Sequence, residues 1–242
     1  MVVAVDVLSG KDLAPTAVVF DLDGTLIDSR GDIAAAVNHA LLGTGRTALP
    51  ASVIATYVGD GARSLLARAS KLTETDPALD DLLERFSTYY LAHPVDFTKW
   101  ADGAPDVLDR VAAIPLPICL CTNKARPVTD AILAALGVRT RFRAIYAGGD
   151  GPEKKPAPGP LLTLAKRLGV EPASLVMVGD GSQDVDCARA AGCRVIGVSS
   201  AYAPREKLLA AKADIVLDGL AGVADVVRRW CDSTARLSVL RR

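Results

Sequence analysis

The residues best suited to chemistry are two aspartates, Asp21 and Asp23, which end an apolar run in the string VVFDLDGTL at residues 18–26. On an extended chain, side chains two residues apart project to the same side, so the two carboxylates should lie close together. Two like charges at that distance are unfavourable unless a cation lies between them or one carboxyl is protonated. Mg²⁺ prefers such oxygen ligands, and an aspartate can accept a phosphoryl group while its neighbour moves protons. An Asp-Gly pair alone would predict a turn that caps a helix, but the whole string favours the chemical interpretation.

A second apolar run also ends in carboxylates, Asp180 and Asp184, in the string LVMVGDGSQD at residues 175–184. A spacing of four places both side chains on one face of a helix if that helix begins near Ser182. Carboxylates at a helix start can simply satisfy backbone donors and the helix dipole, and this string alone supports that interpretation as well as a metal site. Acidic residues at the ends of two strands in one parallel sheet would come together, which favours the metal site.

Two weaker patterns supply polar groups for a phosphate. The string CLCTNK at residues 119–124 ends in the Thr122 hydroxyl and the Asn123 amide, both able to bind phosphate oxygens. The string KKPAP at residues 154–158 offers an ammonium group on a stiff, proline-framed loop, suited to neutralising a phosphoryl group during transfer. Each pattern alone is typical of an ordinary loop, and their order along the chain gives them weight.

These four patterns, in this order, resemble the four motifs of the haloacid dehalogenase superfamily of phosphohydrolases. Within it, the strings DLDGTLIDS at residues 21–29, DIAAAVN at residues 32–38 and VGDGARSLL at residues 58–66 resemble bacterial phosphoglycolate phosphatases. The resemblance extends from about residue 18 to residue 218. The string FTKWADG at residues 97–103 departs from it, because a Tyr-Pro-Gly type of sequence is expected where the chain re-enters the core.

The resemblance implies a Mg²⁺-dependent phosphatase that cleaves a small-metabolite phosphate monoester, with 2-phosphoglycolate the leading candidate, through an aspartyl-phosphate intermediate. Asp21 would be the nucleophile and a metal ligand, and Asp23 the acid/base, with its backbone carbonyl also on the metal. Asp180 would bind the metal, and Asp184 would support the metal or orient Lys155. Lys155 matches the motif, unlike the lysine before it, because it directly precedes a proline.

Substrate binding involves a second set of residues. The resemblance implies that the phosphoryl group is held by Lys155 together with Gly24, Thr25, Thr122 and Asn123. Arg63 is the candidate for binding the rest of the substrate, because it follows two glycines, Gly59 and Gly61, at the start of a helical pattern that could hold an anion. Its guanidinium could pair with a substrate carboxylate in a two-pronged contact. A solvated position on an outer helix face is an equally good interpretation of Arg63.

The elements that must position these residues predict a doubly wound α/β fold with a mostly parallel, Rossmann-like sheet. Six short β-type runs lie at residues 17–20, 118–121, 144–146, 175–178, 195–198 and 215–217. Several are almost continuously apolar, as strands buried on both faces of a parallel sheet are. Helical patterns at residues 127–136 and 160–168 lie between them, each with proline in the first turn and glycine after the end. Alternating strands and helices predict this architecture.

The long gap between the first two predicted strands contains only helical periodicity. Ile33, Val37 and Leu41 share one helix face within it, and a second helical pattern follows near residues 79–86. We therefore predict an α/β core of residues 1–28 and 98–242 and an inserted all-helical cap domain of residues 29–97. An insert directly after the first strand lies over the carboxyl ends of the strands, where such folds bind ligands, so the cap is a candidate mobile lid.

Composition limits the partners and the compartment. The formal net charge is zero, with 28 basic and 28 acidic residues, so no excess positive field would attract nucleic acid or an anionic membrane. Residues 1–10 do not resemble a signal peptide, and the longest apolar run, residues 112–121, is shorter than the ~20 residues of a membrane span. The five cysteines lack metal-ligand spacing, which favours buried free thiols. We expect a cytoplasmic monomer or homodimer that binds a small-molecule phosphate ester, with no nucleic-acid or membrane partner.

Four other functions share part of this pattern. A phosphosugar mutase would return the phosphoryl group to substrate instead of to water, and is the nearest alternative. A phosphoacceptor signalling domain has a similar acidic pocket, but places its acceptor aspartate on a later strand and has no helical insert. A carbon–halogen hydrolase does not need a second acid at Asp23. A dinucleotide-binding oxidoreductase would show Gly-x-Gly-x-x-Gly after the first strand, and this chain does not.

Overall fold

The computed structural model describes the backbone of residues 13–199 and 204–239 and the side chains of residues 13–199 and 204–233. Residues 1–10, predicted to be ordinary chain, lie outside the described residues. The strands in the described part are β1 Ala17–Phe20, β2 Ile27–Asp28, β3 Lys99–Trp100, β4 Ile118–Ala125, β5 Ala144–Gly148, β6 Leu175–Gly179, β7 Arg194–Val198 and β8 Ile215–Leu217. All six strands predicted from the sequence are therefore confirmed.

These six strands form one sheet in the order β5-β4-β1-β6-β7-β8, with every neighbouring pair parallel. The sheet is buried on both faces because its strands are apolar on both. Val18 and Phe20 of β1 pack into one apolar cluster, and Ala17 and Val19 pack into another on the opposite face. Helices cover both clusters, which confirms the doubly wound α/β fold.

The helices are α1 Arg30–Gly43, α2 Ala51–Ala55, α3 Ala62–Ser70, α4 Ala78–Ala92, α5 Ala104–Ala112, α6 Arg126–Ala135, α7 Gly159–Leu168, α8 Ser182–Ala190, α9 Arg205–Ala210 and α10 Val223–Val239. Side chains of α5, α6 and α10 fill one cluster, and those of α7, α8 and α9 fill the other. Among the helices of the described residues, none combines the length and the apolar character needed to cross a membrane.

The segment between β2 and β3 contains α1 to α4 and no strand within residues 29–97. Ile33, Val37 and Leu41 of α1 are buried, and so are Leu79 and Phe86 of α4, as the two helical patterns predict. These side chains belong to the apolar cluster that α5, α6 and α10 also fill. The division into a core of residues 1–28 and 98–242 and a cap of residues 29–97 stays a prediction.

One element at this boundary was not predicted. The strands β2 and β3 form a two-stranded antiparallel ribbon in which Ile27 pairs with Trp100 and Asp28 with Lys99. Two residues per strand are too few to produce a visible period in the sequence. The buried Asp32 carboxylate accepts the backbone N–H of Phe97 at 3.0 Å and so ties the returning chain to α1. The helical segment thus leaves and re-enters the core through one compact junction.

Candidate active site

The carboxyl ends of three adjacent strands carry the predicted site residues. Asp21 directly follows β1, Asp180 follows β6, and Thr122 and Asn123 lie within β4. Because β4, β1 and β6 are neighbours in a parallel sheet, their ends open at the same edge. The topology therefore brings together groups that lie up to about 160 residues apart in the sequence.

Three carboxylates meet at this edge. Asp21, Asp180 and Asp184 are all buried, and each offers one oxygen atom within 4.8 Å of the other two. Asp184 reaches the cluster from the first turn of α8, where it also accepts the backbone N–H of Gly181 at 2.9 Å. Burial raises the pKa of Asp21 to about 8, aided by the Asp184 carboxylate and opposed by the Lys155 ammonium. A divalent cation would relieve this repulsion, so the cluster fits a hard, oxygen-binding metal ion.

Lys155 supplies the positive charge of the cluster. Its ammonium group lies 2.7 Å from Oδ1 of Asp21 and 2.5 Å from Oδ1 of Asp184, and it donates to the Cys121 carbonyl at 2.8 Å. Burial by itself disfavours the charged ammonium and would lower the pKa of Lys155. The carboxylates of Asp184 and Asp21 outweigh this effect and raise that pKa well above its usual range. The preceding Lys154 is exposed and lies outside the cluster. The structure therefore places Lys155, and not Lys154, at the carboxylates.

Asp23 lies in the same cavity as Asp21, but its carboxylate has different partners. Ser29 donates its hydroxyl to Oδ1 of Asp23 at 2.6 Å, and the Lys124 ammonium lies 3.0 Å from Oδ2. Burial disfavours the Lys124 ammonium, but the Asp23 carboxylate outweighs this effect and raises the pKa of Lys124 above its usual range. The first-motif aspartates are thus each neutralised by a separate lysine, an arrangement that their spacing did not predict.

The two polar residues of β4 behave differently from each other. Thr122 lines the cavity, and its Oγ1 accepts the backbone N–H of Lys124 at 3.1 Å, which leaves the hydroxyl proton available to a ligand. The Asn123 amide is fully engaged. It donates to the carbonyls of Gly59 and Lys155 and accepts the Lys155 N–H, each at 2.9 Å. Asn123 therefore holds the Lys155 loop and the loop before α3 in place.

Gly24 and Thr25 form the turn behind the carboxylates. Thr25 donates its hydroxyl to Oδ1 of Asp180 at 3.0 Å. Gly24 has a φ of +85°, and a Cβ at this position would overlap the Asp180 carboxylate. Only glycine combines this backbone conformation with such a close approach. The turn therefore fixes the position of Asp180 relative to Asp21.

Arg63 is the one predicted site residue that the structure places apart from the others. Its guanidinium donates to the Glu74 carbonyl at 2.9 Å and contacts the Asp80 carboxylate at 2.5 Å. Its side chain is 42% exposed, and it is not among the residues that line the cavity. This arrangement matches the interpretation of Arg63 as a residue on the outer face of its helix.

The cavity that joins Asp21 to the helical segment has a volume of about 60 Å³. Its floor is polar and comes from the strand ends, whereas its roof is mostly apolar and includes Leu65 of α3 and Phe86 of α4. Tyr90 of α4 also lines it, and is 1% exposed. Sequence reasoning missed both Tyr90 and Lys124. For Lys124 the signal was its place directly after Thr122 and Asn123, whereas nothing in the α4 sequence distinguishes Tyr90 from a core residue.

This chain is similar to known proteins over most of its length. Residues 18–198 match the haloacid dehalogenase-like hydrolase family. A phosphoglycolate phosphatase from Chromobacterium violaceum is 38% identical over 216 residues, which cover 88% of this chain and 96% of that protein. A phosphoglycolate phosphatase from Escherichia coli K12 is 32% identical over 223 residues, which cover 84% of this chain and 88% of that protein. A crystal structure of a predicted phosphoglycolate phosphatase from Haemophilus somnus matches with a TM-score of 0.79 at 26% identity, covering 88% of this chain and 97% of that one.

Proposed function

This chain belongs to the haloacid dehalogenase-like hydrolases and is a phosphoric monoester hydrolase, and from that premise we propose that its substrate is 2-phosphoglycolate. The relatives named phosphoglycolate phosphatase match most of this chain and most of their own length, so the proposal applies to the catalytic unit as a whole. The small cavity supports it, since its volume of about 60 Å³ is well below the roughly 300–1,000 Å³ of pockets for drug-sized ligands and so favours a short leaving group.

The main observation in support of this mechanism is the contact of Lys155 with Asp21 at the carboxyl edge of the sheet. An Asp21 oxygen attacks phosphorus, the bond from phosphorus to the ester oxygen breaks, and Asp23 gives a proton to the departing oxygen. Water then attacks the aspartyl phosphate, Asp23 takes a proton from that water, and inorganic phosphate leaves with Asp21 restored. Lys155 stabilises the negative charge that develops on the phosphoryl group.

We propose that the reaction also requires a Mg²⁺ ion. Asp21 and Asp180 would hold it through carboxylate oxygens and Asp23 through its backbone carbonyl, with Asp184 supporting both the metal and Lys155. When bound, Mg²⁺ would neutralise phosphoryl oxygens and so make phosphorus easier to attack. The donor set supports this assignment, because it consists of three buried carboxylates, and the single Lys155 ammonium cannot neutralise all of them.

The phosphoryl group has further ligands in the same proposal. The Thr122 hydroxyl can donate to a phosphoryl oxygen, and Gly24 and Thr25 shape the turn beside it. Asn123 acts through Lys155, because its amide is engaged with the backbone of that residue. We assign Asn123 a positioning role instead of direct phosphate binding by its side chain.

We propose that residues 29–97 act as a lid over this site. The Asn123 amide donates to the Gly59 carbonyl at 2.9 Å, and the Lys154 ammonium donates to the Asp60 carbonyl at 2.6 Å. Both bonds join the loop before α3 to the core. Closure would exclude bulk water, which strengthens the electrostatic interactions in the cavity and protects the aspartyl phosphate.

We also propose a cytoplasmic location and a single class of partner, the small phosphate ester. Four of the five free cysteines are buried, a pattern typical of proteins from reducing compartments.

The test of this function is phosphate release from a panel of metabolite phosphates in the presence of Mg²⁺. We expect 2-phosphoglycolate to give the highest kcat/KM and Asp21→Asn to release none. Higher activity on a sugar phosphate would contradict the substrate assignment. Conversion of a sugar phosphate to its isomer without phosphate release would instead identify a mutase.

A further inference from the structure

We propose that Lys124 and Tyr90 form the binding site for the carboxylate of the leaving group and so determine the specificity of this phosphatase. The inference rests on the proposed function, and extends it from the phosphoryl group to the rest of the substrate. Neither residue belongs to the cluster of Asp21, Asp180 and Asp184, which the proposed function assigns to the metal and the phosphoryl group.

Lys124 occupies the position from which a substrate carboxylate can be reached. Its ammonium group lies 3.0 Å from the Asp23 carboxylate, and its side chain is 6% exposed. Asp23 must lie within hydrogen-bond reach of the ester oxygen to protonate it. Only one carbon separates the ester oxygen of 2-phosphoglycolate from its carboxyl carbon, so the carboxylate comes within reach of Lys124. An ammonium group has three donors, which allows Lys124 to bind Asp23 and a second carboxylate together.

Tyr90 of α4 supplies a second donor beside Lys124. It is 1% exposed, and its hydroxyl proton has no acceptor in the part of the chain that the structure describes, since the Lys124 ammonium beside it can only donate. A buried hydroxyl proton without an acceptor costs free energy, so an acceptor supplied by the substrate would remove that cost. The Lys124 ammonium lies 4.6 Å from the centroid of the Tyr90 ring, which places both donors at one end of the cavity.

The other residues that line the cavity leave Lys124 as the lysine available to a substrate carboxylate. Lys124 and Lys155 are the lysines that line the cavity, and Lys155 is committed to Asp21, Asp184 and the Cys121 carbonyl. Neighbouring parts of the roof, such as Leu65 and Phe86, are apolar and offer no competing polar contact. A leaving group with a carboxylate close to the ester oxygen is therefore favoured over a neutral one of the same size.

The test compares two substrates that differ only at this end. The first is 2-phosphoglycolate, and the second is 2-hydroxyethyl phosphate, in which a neutral hydroxymethyl group replaces the carboxylate. We would measure kcat and KM for the wild type, Lys124→Met and Tyr90→Phe. Tyr89→Phe is the matched control, because Tyr89 is on the same helix and stacks on His39 and His93 instead of lining the cavity.

We expect the wild type to prefer 2-phosphoglycolate and Lys124→Met to reduce that preference by about 10- to 100-fold, the loss typical of a hydrogen bond to a charged group. Tyr90→Phe should raise KM for 2-phosphoglycolate several-fold, leave KM for 2-hydroxyethyl phosphate within about twofold, and preserve thermal stability. Tyr89→Phe should leave the preference unchanged. Because Tyr90→Phe removes only a hydroxyl whose proton has no acceptor among the described residues, it remains informative even where Lys124→Met folds poorly.

Two results would overturn the inference and leave the proposed function intact. One is a wild type that cleaves 2-phosphoglycolate and 2-hydroxyethyl phosphate equally well. The other is an equal loss on both substrates in Lys124→Met and Tyr90→Phe, which would restrict Lys124 to holding Asp23. A wild type that cleaves other monoesters but not 2-phosphoglycolate would overturn the proposed substrate, and the inference with it.

Discussion

The ammonium group of Lys155 lies 2.7 Å from Oδ1 of Asp21, and both side chains are almost completely buried. Removing the cation from this pair leaves buried carboxylates uncompensated, a change that typically costs about 3–5 kcal/mol of stability. We expect Lys155→Met to lower the free energy of unfolding by about this amount and to abolish phosphatase activity. Urea denaturation measures the first effect, with Lys154→Met as an exposed control expected to change stability by less than about 1 kcal/mol. Equal stabilities for the two variants would contradict the buried pair.

The two aspartates of the first motif should fail in different ways. Asp21→Asn removes the attacking oxygen, so we expect no phosphoenzyme. Asp23→Asn keeps the nucleophile but cannot protonate the leaving oxygen, a step that contributes about 10²–10⁴-fold to the rate. Rapid quenching with substrate labelled in the phosphoryl group, followed by acid precipitation, measures the phosphoenzyme directly. Near-normal turnover of Asp21→Asn would show that another residue is the nucleophile.

Mg²⁺ should bind the carboxylate cluster and stabilise the fold as well as support activity. At a Mg²⁺ concentration about 100 times Kd, linkage contributes about 2.7 kcal/mol, which raises Tm by roughly 5–10 °C for a chain of this size. We expect this shift after chelator-treated protein is returned to Mg²⁺, and we expect Asp180→Asn to lose most of it. Full phosphatase activity after exhaustive chelation would rule out the metal requirement.

Arg63→Ala distinguishes the two interpretations of this residue. Its ion pair with Asp80 is exposed at 42% and 71% of the two side chains, so its loss should cost less than about 1 kcal/mol. Because Arg63 lies outside the cavity lining, we expect any change in kcat/KM to be the same for 2-phosphoglycolate and for 2-hydroxyethyl phosphate. A selective loss on 2-phosphoglycolate would return Arg63 to the substrate site and imply a different closed arrangement of α3.

The cysteine thiols should react in two classes. Burial raises the pKa of Cys119 to about 11 and that of Cys187 and Cys193 to about 12, and it raises the pKa of Cys121 well above its usual range. Only the thiolate is nucleophilic, so a raised pKa keeps these groups unreactive at pH 8. Burial also raises the pKa of Cys231, but this thiol is only partly buried, so we expect a disulfide reagent to modify it slowly in the native protein and all five thiols after denaturation. Rapid modification of Cys119 or Cys187 in the native state would show that the core opens.

Much of the fold was accessible from the sequence because its signals are local. A strand buried on both faces must be apolar at consecutive positions, and Ala17–Phe20 and Ile215–Leu217 occupy the positions that their apolar runs predict. The same holds for the acidic residues at the strand ends, since Asp21 and Asp180 follow their strands directly. Parallel pairing of adjacent strands then brings these residues together without any further information.

The partners of each polar side chain were decided only by the tertiary structure. Lys124 meets Asp23 across 101 residues, and Asn123 meets Gly59 across 64. Nothing local to any of these residues specifies such a partner, because the choice depends on which groups the sheet order and the packing of α1 to α4 leave within reach. Asn123 is an example. Its residue type and its position at the end of a strand predict a phosphate ligand, but its amide holds the Lys155 loop instead.

Arg63 and Tyr90 also show that the local sequence does not determine what a side chain on a helix contacts. The sequence placed Arg63 correctly at the start of a helix, but a helix has several faces, and packing of α3 against α4 turns this side chain towards Asp80. Tyr90 has the sequence context of an ordinary core residue on α4, yet the same packing directs it to the cavity. Periodicity determines which residues share a face, whereas long-range packing, in which many weak contacts act together, determines what that face meets.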